Sequence, residues 1–204
     1  MTLYILIATV IASLIGFSNE RFRDQLLFDP YLIETKKQWY RFVTCGFLHA
    51  DTLHLGVNML VLYSFGHAVE YQYAVLFGQH GDWIYLALYL TSIAAANVST
   101  FYKERTNHYY RALGASGAVS AVVFASILFN PYAKLVLFFA LELPAVVYCV
   151  LYIGYSWYMS KKQSGDMIHH EAHLHGALYG MLFTIVLKPS VLSYFISDLL
   201  NFFL

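Results

Sequence analysis

The sequence predicts an all-α membrane protein, a bundle of six transmembrane helices with a long first loop. Of its 204 residues, 59% are hydrophobic and 12% are charged, against about 45–50% and about 25% in ordinary soluble domains. Long apolar runs also recur along the chain at roughly the 20 residues that cross a hydrocarbon core of about 30 Å. One such run could be a buried helix of a soluble protein, but six leave too little polar surface to cover them.

The six predicted spans lie, in chain order, near Leu3–Phe17, Leu53–Phe77, Trp83–Phe101, Ala115–Phe129, Tyr132–Met159 and Ala172–Leu187. The first run lacks the basic segment and the small-residue cleavage site of a secretory signal, so it is predicted to be a retained span. The apolar tail Val191–Leu204 is expected to lie along the membrane surface. Glu142, in the middle of the fifth span, is interpreted as an interior hydrogen-bonding group near Pro144 or as a gate element.

The connections between the spans are unequal, and the longer ones share one face of the membrane. These are Ser18–Thr52, Lys103–Gly114 and Ser160–Glu171. No Pro/Ser-rich linker or internal repeat interrupts the chain, so residues 1–204 are predicted to form one domain. Twelve basic residues balance twelve acidic ones, which removes the basic excess that binding to nucleic acid needs.

Three polar clusters lie at the beginnings of the second, fourth and sixth spans, where polar side chains are costly and therefore indicate function. They are His49, His54 and Asn58; Gly114–Gly117; and His169–Gly176. Alternate spans run in the same direction, and a rise of about 1.5 Å per residue places His54, Ser116 and His173 at one depth, roughly 22–24 Å from the far interface. The sequence therefore predicts a common water-filled cavity.

Small residues predict close approach of the fourth and sixth helices. Gly176 and Gly180 form a G-x-x-x-G face on the side of His173, and Gly117 and Ala121 repeat the same spacing in the fourth helix. Such packing would bring the Ser116 hydroxyl within reach of the His173 imidazole.

A serine hydroxyl becomes a good nucleophile when a neighbouring base takes its proton, so Ser116 and His173 are the minimal pair for acyl transfer. The backbone N–H of Ser116, the Asn58 amide and the His54 imidazole are the available donors for a developing oxyanion. Glu171 lies on a different helical face from His173, so a dyad is predicted in place of a triad.

Several motifs in this order and at these separations resemble the rhomboid family of intramembrane serine proteases, and the resemblance covers most of the chain. They are Trp39-Tyr40-Arg41, Phe47-Leu48-His49, His54-x-x-x-Asn58, Gly66-x-x-x-Glu70, Gly114-Ala115-Ser116-Gly117 and Ala172-His173-x-x-Gly176-x-x-x-Gly180. Their combination is far more specific than any single motif.

The resemblance implies a fold, a reaction and a role for each matching residue. Ser116 would be the nucleophile and His173 its base, with His54 and Asn58 lining the oxyanion site. The other implied roles belong to Gly114 and Gly117 at the nucleophile turn, Gly176 and Gly180 in helix packing, Trp39 and Arg41 in a first loop beside the second helix, and Glu70 bracing the far end of that helix. Proteins of this family cleave transmembrane segments of other membrane proteins near their outer membrane boundary, without metal or cofactor.

Two positions depart from the family pattern. Ser120 stands where family members often carry an aromatic residue stacked on the base, so support for the His173 ring must come from elsewhere. His175 stands where a small residue is usual. A helical step of about 200° turns His175 away from His173, so it is expected to face the loop or the lipid headgroups.

The distribution of basic residues conflicts with the orientation that the resemblance implies. Ten of the twelve lie on the face with the long connections: Arg21, Arg23, Lys36, Lys37, Arg41, Lys103, Arg105, Arg111, Lys161 and Lys162. Counting basic residues would make this face cytoplasmic. Rhomboid resemblance implies instead that the active site opens to the extracytoplasmic side of a plasma or inner membrane, and this is the orientation adopted here.

The sequence leaves two alternative functions open. His169 and His173, four residues apart, could share a metal ion, although the spacing in His170-Glu171-x-His173 does not fit the H-E-x-x-H pattern of zinc hydrolases. Alternatively, the chain could be a non-catalytic rhomboid-like protein that binds transmembrane helices through the same cavity.

Overall fold

The computed structural model describes residues 1–137, 141–162 and 169–203. The chain is 79% helical with almost no sheet, which confirms the all-α prediction. The described helices are α1 (Thr2–Ser18), α2 (Glu20–Leu26), α3 (Pro30–Lys36), α4 (Arg41–Thr44), α5 (Thr52–Phe77), α6 (Gly81–Glu104), α7 (Ser116–Ile127), α8 (Ala145–Lys161), α9 (His170–Leu187) and α10 (Ser190–Phe203), with one antiparallel hairpin, β1 (Lys134–Leu137) and β2 (Leu141–Pro144).

Length and composition identify fewer spans than the sequence predicts. Within the described ranges, one continuous helical stretch, Thr52–Glu104, is long and apolar enough to cross a membrane. The α9 and α10 helices satisfy the same test together, across a bend of 112°. Helices α1 and α7 are apolar but shorter, so the count of six stays a prediction.

The stretch Thr52–Glu104 consists of two helices that pack against each other. Gly78, at φ +57°, ends α5 and begins a 3-10 turn that leads into α6. A Cβ on Gly81 would lie 2.6 Å from the backbone of Ala74, because the chain folds back tightly here. With 26 and 24 residues, α5 and α6 are each longer than a hydrocarbon core of about 30 Å.

Helix α7 is the centre of the bundle. Ten of its twelve residues are buried, and it contacts α5, α6, α8 and α9. A Cβ on Gly176 would overlap the carbonyl oxygen of Gly117, and a Cβ on Gly180 would overlap that of Ala121. The backbones of α7 and α9 therefore meet through the small residues that the sequence singles out.

The segment predicted as the fifth span begins as a hairpin and becomes helical only at Ala145. Lys134 pairs with Pro144 in the hairpin register, and the Lys134 ammonium lies 3.1 Å from the Glu142 carboxylate. The prediction that Glu142 lies in the middle of a span is therefore wrong, since its side chain is exposed in β2. A short apolar run fits a strand as well as a buried helix, so periodicity could not distinguish the two.

Parts of three predicted segments lie outside the described residues. These parts are 138–140 of the fifth span, 163–168 of the connection Ser160–Glu171, and Leu204 of the C-terminal tail. The rest of the tail forms α10, which the Tyr132 hydroxyl joins to the hairpin region by donating to the Leu199 carbonyl at 3.3 Å.

Replacing Gly176 with alanine is expected to destabilise the protein by about 1–3 kcal/mol, because the added methyl group has no room against the Gly117 backbone. The matched control is Gly154→Ala in α8, where nothing lies within 4 Å of an added Cβ. There, the higher helix propensity of alanine should leave stability unchanged or raise it by up to about 1 kcal/mol. Thermal unfolding of the detergent-solubilised variants, followed by circular dichroism, checks this. Equal unfolding temperatures for both variants would contradict the proposed tight contact.

Candidate active site

Three of the four predicted catalytic and oxyanion residues lie in the first turns of three helices. His54 is in the first turn of α5, Ser116 is the first residue of α7, and His173 follows the start of α9 by three residues. Each of these three residues is partly buried. The N–H groups in a first helical turn have no intrahelical acceptor, so the backbone N–H of Ser116 is available to an anion.

Gly114 forms the turn that presents Ser116, and its φ of +135° is one that residues with a side chain rarely adopt. Its N–H donates to the Cys45 carbonyl at 3.0 Å, which ties the start of α7 to the first loop. A Cβ at Gly114 would lie 3.0 Å from Cε1 of His54 and 3.9 Å from the Ser116 hydroxyl oxygen. The His54 ring and the Ser116 hydroxyl thus converge on one side of this glycine.

Asn58 lies one turn beyond His54 and is buried, with 6% of its surface exposed. Its amide nitrogen donates to the His54 carbonyl at 2.8 Å. An amide carries two N–H donors, so this bond leaves one of them for another acceptor.

Helices α7 and α9, which carry Ser116 and His173, pack backbone against backbone. Among the described residues, no hydrogen bond joins the two side chains. The His173 ring lies edge-on to the His170 ring, with centroids 6.3 Å apart. The His170 ring in turn lies 5.5 Å from the Tyr155 ring of α8. Catalytic hydrogen bonds are often long in a free enzyme and tighten when the substrate binds.

The acidic residue nearest to His173 in sequence is engaged elsewhere. Both carboxylate oxygens of Glu171 accept from the Lys103 ammonium, at 2.7 and 2.8 Å, and one also accepts from the Ser99 hydroxyl at 2.6 Å. Glu171 therefore faces α6. His175 lines a surface depression between α6 and α9 with Ser99 and Leu178.

The histidine cluster at the start of α9 does not converge on a single point. Burial lowers the pKa of His169 and raises the pKa of Tyr110. The Tyr110 hydroxyl oxygen lies 2.6 Å from Nε2 of His169, so the two groups form a hydrogen bond between neutral partners. Among the residues that the structure describes, no three His, Cys, Asp or Glu side chains are arranged to hold a metal ion.

A small cavity of about 30 Å³ lies beside Ser116. Its lining includes Asn97, Gly114 and His169, so it touches two of the three polar clusters that the sequence predicted to share a cavity. This volume is large enough for a water molecule.

His49 packs against His54, and it is held there by a hydrogen bond with Ser13 that the sequence did not predict. Its Nδ1 lies 2.9 Å from the Ser13 hydroxyl, which itself donates to the Phe47 carbonyl at 3.0 Å. The single hydroxyl proton is then committed, so Nδ1 of His49 must be the donor. Burial lowers the pKa of His49 to about 4, and the neutral ring packs edge-on to His54 at 4.9 Å. A serine within an apolar helix gave no signal of this contact.

Arg41 organises the first loop. The residue is 3% exposed, and its guanidinium donates to the carbonyls of Asp24 and Leu27, at 2.9 and 2.7 Å, and to the Gln38 side chain at 2.7 Å. Trp39 packs on Phe42 and on Phe101 of α6, with ring centroids 6.1 and 5.8 Å apart.

The first loop therefore packs on different helices from the one expected. It was predicted to lie beside the second span, α5, but its main contacts are with α1 and α6. Glu70, near the far end of α5, accepts from the Thr2 N–H at 2.9 Å and pairs with the Met1 amino group. Glu70 thereby joins α5 to the start of α1.

Fold and site together define a helical bundle of the rhomboid class, in which a serine begins a buried helix that packs on a histidine-bearing helix through glycines. The family model for the Rhomboid domain matches residues 36–190. This chain belongs to the rhomboid family, as the resemblance of its motifs predicted.

The chain is similar to three curated relatives. It is 30% identical to Rhomboid-like protein 11, chloroplastic, of Arabidopsis thaliana over 173 residues, which cover 78% of this chain and 56% of that protein. It is 28% identical to RHOMBOID-like protein 12, mitochondrial, of the same plant over 170 residues, 76% of this chain and 50% of that protein. It is 30% identical to Rhomboid protein 1, mitochondrial, of Saccharomyces cerevisiae over 150 residues, which cover 72% of this chain and 41% of that protein. The chain thus matches about half the length of these relatives.

Substituting Arg41 with lysine should destabilise the first loop by about 2 kcal/mol, because an ammonium cannot reach the three acceptors of the planar guanidinium at once. Limited proteolysis within residues 19–51 measures this loosening. Arg21→Lys is the matched control, since Arg21 is exposed. Equal cleavage rates in the two variants would contradict the structural role given to Arg41.

Proposed function

We propose that this protein is an intramembrane serine endopeptidase that cleaves transmembrane segments of other membrane proteins with a Ser116–His173 dyad. Rhomboid proteins are generally intramembrane serine proteases, and both members of the dyad are present here. The observation that carries the proposal is the backbone contact of Gly117 with Gly176, since these glycines lie one residue after Ser116 and three after His173.

In the acylation step, the Ser116 oxygen attacks the carbonyl carbon of the scissile peptide bond while His173 takes the hydroxyl proton. The tetrahedral intermediate collapses as the C–N bond breaks. The protonated His173 gives its proton to the leaving nitrogen, which departs as a free amine. The products of this step are an ester on Ser116 and the new N-terminus of the released segment.

The negative charge on the tetrahedral oxygen needs donors that are already in place. Within the described residues, the backbone N–H of Ser116 has no intrahelical acceptor and Asn58 has one amide N–H without a partner, and the His54 ring lies beside Gly114. We assign the oxyanion site to these three groups.

In the deacylation step, His173 takes a proton from a water molecule, whose oxygen attacks the ester carbon. The C–O bond to Ser116 breaks, the serine recovers its proton from His173, and the cleaved segment leaves with a new carboxylate. The small cavity beside Ser116 offers a place from which this water can approach.

The relatives named above carry chloroplastic and mitochondrial in their names, and rhomboid homologues are membrane proteins. For this chain we propose a multi-pass arrangement in a plasma or inner membrane, with Ser116 opening to the extracytoplasmic face. The basic residues concentrated on that face in sequence argue for the reverse orientation, and family membership is the reason for preferring the first.

Removing either member of the dyad should abolish cleavage without unfolding the protein. Ser116→Ala and His173→Ala are each expected to lower kcat by at least about a thousandfold in vesicles that contain a transmembrane substrate. Ser64→Ala and His67→Ala are matched controls on an exposed part of α5 and should retain activity. Full activity of Ser116→Ala would refute the mechanism. Substrate binding by wild type without cleavage would instead favour the non-catalytic alternative.

Substrate helices should be cut fastest where they unwind easily. A helical peptide bond holds its carbonyl in a hydrogen bond, so attack by Ser116 requires local unwinding. Substrates with Gly, Pro or small polar residues near the cut should therefore show higher kcat/KM than a uniformly Leu-rich helix of equal length. Cleavage of matched peptides in vesicles measures the ratio, and equal rates for the two would contradict this requirement.

A further inference from the structure

Helix α8 is held against the centre of the bundle by a hydrogen bond between two hydroxyl groups. The Tyr152 oxygen lies 2.6 Å from the Ser120 oxygen of α7. Ser120 is 7% exposed and Tyr152 is partly buried. The N-terminus of α8 is fixed by a backbone hydrogen bond, in which the N–H of Ala145 donates to the Ala133 carbonyl at 2.9 Å.

The pair lies beneath the dyad. Ser120 follows Ser116 by one helical turn, about 6 Å deeper along α7. The Tyr155 ring of α8 lies 5.5 Å from the His170 ring at the start of α9, so this part of α8 lies beside the turn that carries His173. Tyr152 lies one turn earlier in α8, at the level of Ser120.

The direction of the tyrosine side chain fits this position. Side chains on a helix lean toward its N-terminus, so the Tyr152 ring points along α8 away from the mouth of the site. Its hydroxyl accordingly reaches Ser120, one turn below Ser116.

Apolar side chains fill the space below the hydroxyl pair. The Tyr152 ring lies 5.2 Å from the Phe124 ring and 5.4 Å from the Tyr148 ring. Phe124 belongs to a buried cluster with Val123, Ile127, Ala145, Cys149 and Ala177. The Ser120–Tyr152 pair therefore marks the boundary between the polar layer of the site and the apolar core.

We propose that Tyr152 is a positioning residue of the active site, a role that rests on the proposed protease function. Its hydroxyl bond to Ser120 fixes α8 against α7, and one turn later on α8 the Tyr155 ring contacts His170, whose ring lies 6.3 Å from that of His173. With α8 fixed in this way, the start of α9 keeps the His173 ring at the level of Ser116. The support for the base is thus supplied by α8, and Ser120 serves as its anchor.

The test removes the hydroxyl bond from each side while leaving the ring in place. The variants are Tyr152→Phe, Ser120→Ala and the double variant. Tyr158→Phe is the matched control, because it deletes a hydroxyl from an exposed tyrosine of the same helix. The first measurement is the rate at which a fluorophosphonate probe labels Ser116, which needs no substrate helix. The second separates kcat from KM on a transmembrane peptide, with both rates normalised to the folded fraction.

Tyr152→Phe and Ser120→Ala should each slow labelling and lower kcat about ten- to a hundredfold with KM unchanged, as a small displacement of a catalytic group does. The double variant should be no slower than the slower single variant, since both remove the same bond. Tyr158→Phe should behave as wild type.

Wild-type labelling and kcat in Tyr152→Phe would overturn the proposal, as would a change confined to KM or additive effects in the double variant. If Tyr152→Phe fails to fold, Ser120→Ala decides the matter, because it breaks the same bond and keeps the tyrosine. Cleavage that survives Ser116→Ala would instead refute the protease function itself. Loss of cleavage in Ser116→Ala together with a wild-type Tyr152→Phe would refute only the role of Tyr152.

Discussion

The contact between the backbones of α7 and α9 is the constraint on which the rest of the structure depends. Gly176 meets the Gly117 carbonyl and Gly180 meets that of Ala121, so no side chain separates the two helices. This contact fixes the relative height of the two helix starts, and it therefore also fixes the distance between the Ser116 and His173 backbones. Dispersion forces between closely packed backbones stabilise such pairs in a membrane, where the hydrophobic effect between helices is weak.

The first loop contributes the remaining wall of the site through a chain of backbone bonds. Arg41 holds the carbonyls of Asp24 and Leu27, which shapes the loop, and the Cys45 carbonyl then receives the Gly114 N–H. A loop that packs on α1 and α6 thus reaches the turn before Ser116. Buried charged groups are stable only when their donors are satisfied, so the loop cannot shift without breaking several bonds together.

Local pattern in the sequence was sufficient to predict the helical class, the packing glycines and the family. It failed where a strand and a helix have the same apolar composition, as in β1 and β2, and where hydrogen-bond partners are distant in sequence. The Ser13–His49 and Ser120–Tyr152 pairs are of the second kind, 36 and 32 residues apart. The local sequence around a single serine or tyrosine in an apolar helix does not predict its hydrogen-bond partner, because tertiary packing decides which hydroxyl groups meet.

In the proposed membrane arrangement, the short length of α7 lets a serine at its first residue lie within the bundle and still be reachable by water. Twelve residues rise only about 18 Å, well short of a hydrocarbon core of about 30 Å. In the proposed membrane arrangement, a helix of this length beside α5 and α6 begins or ends inside the core, and the polar residues at its start favour a beginning there. The His54 ring of α5 and the small cavity lined by Gly114 and His169 lie next to Ser116. In the same arrangement, a longer α7 would raise Ser116 to the membrane surface, where the proposed site would lose both its recess and its low dielectric.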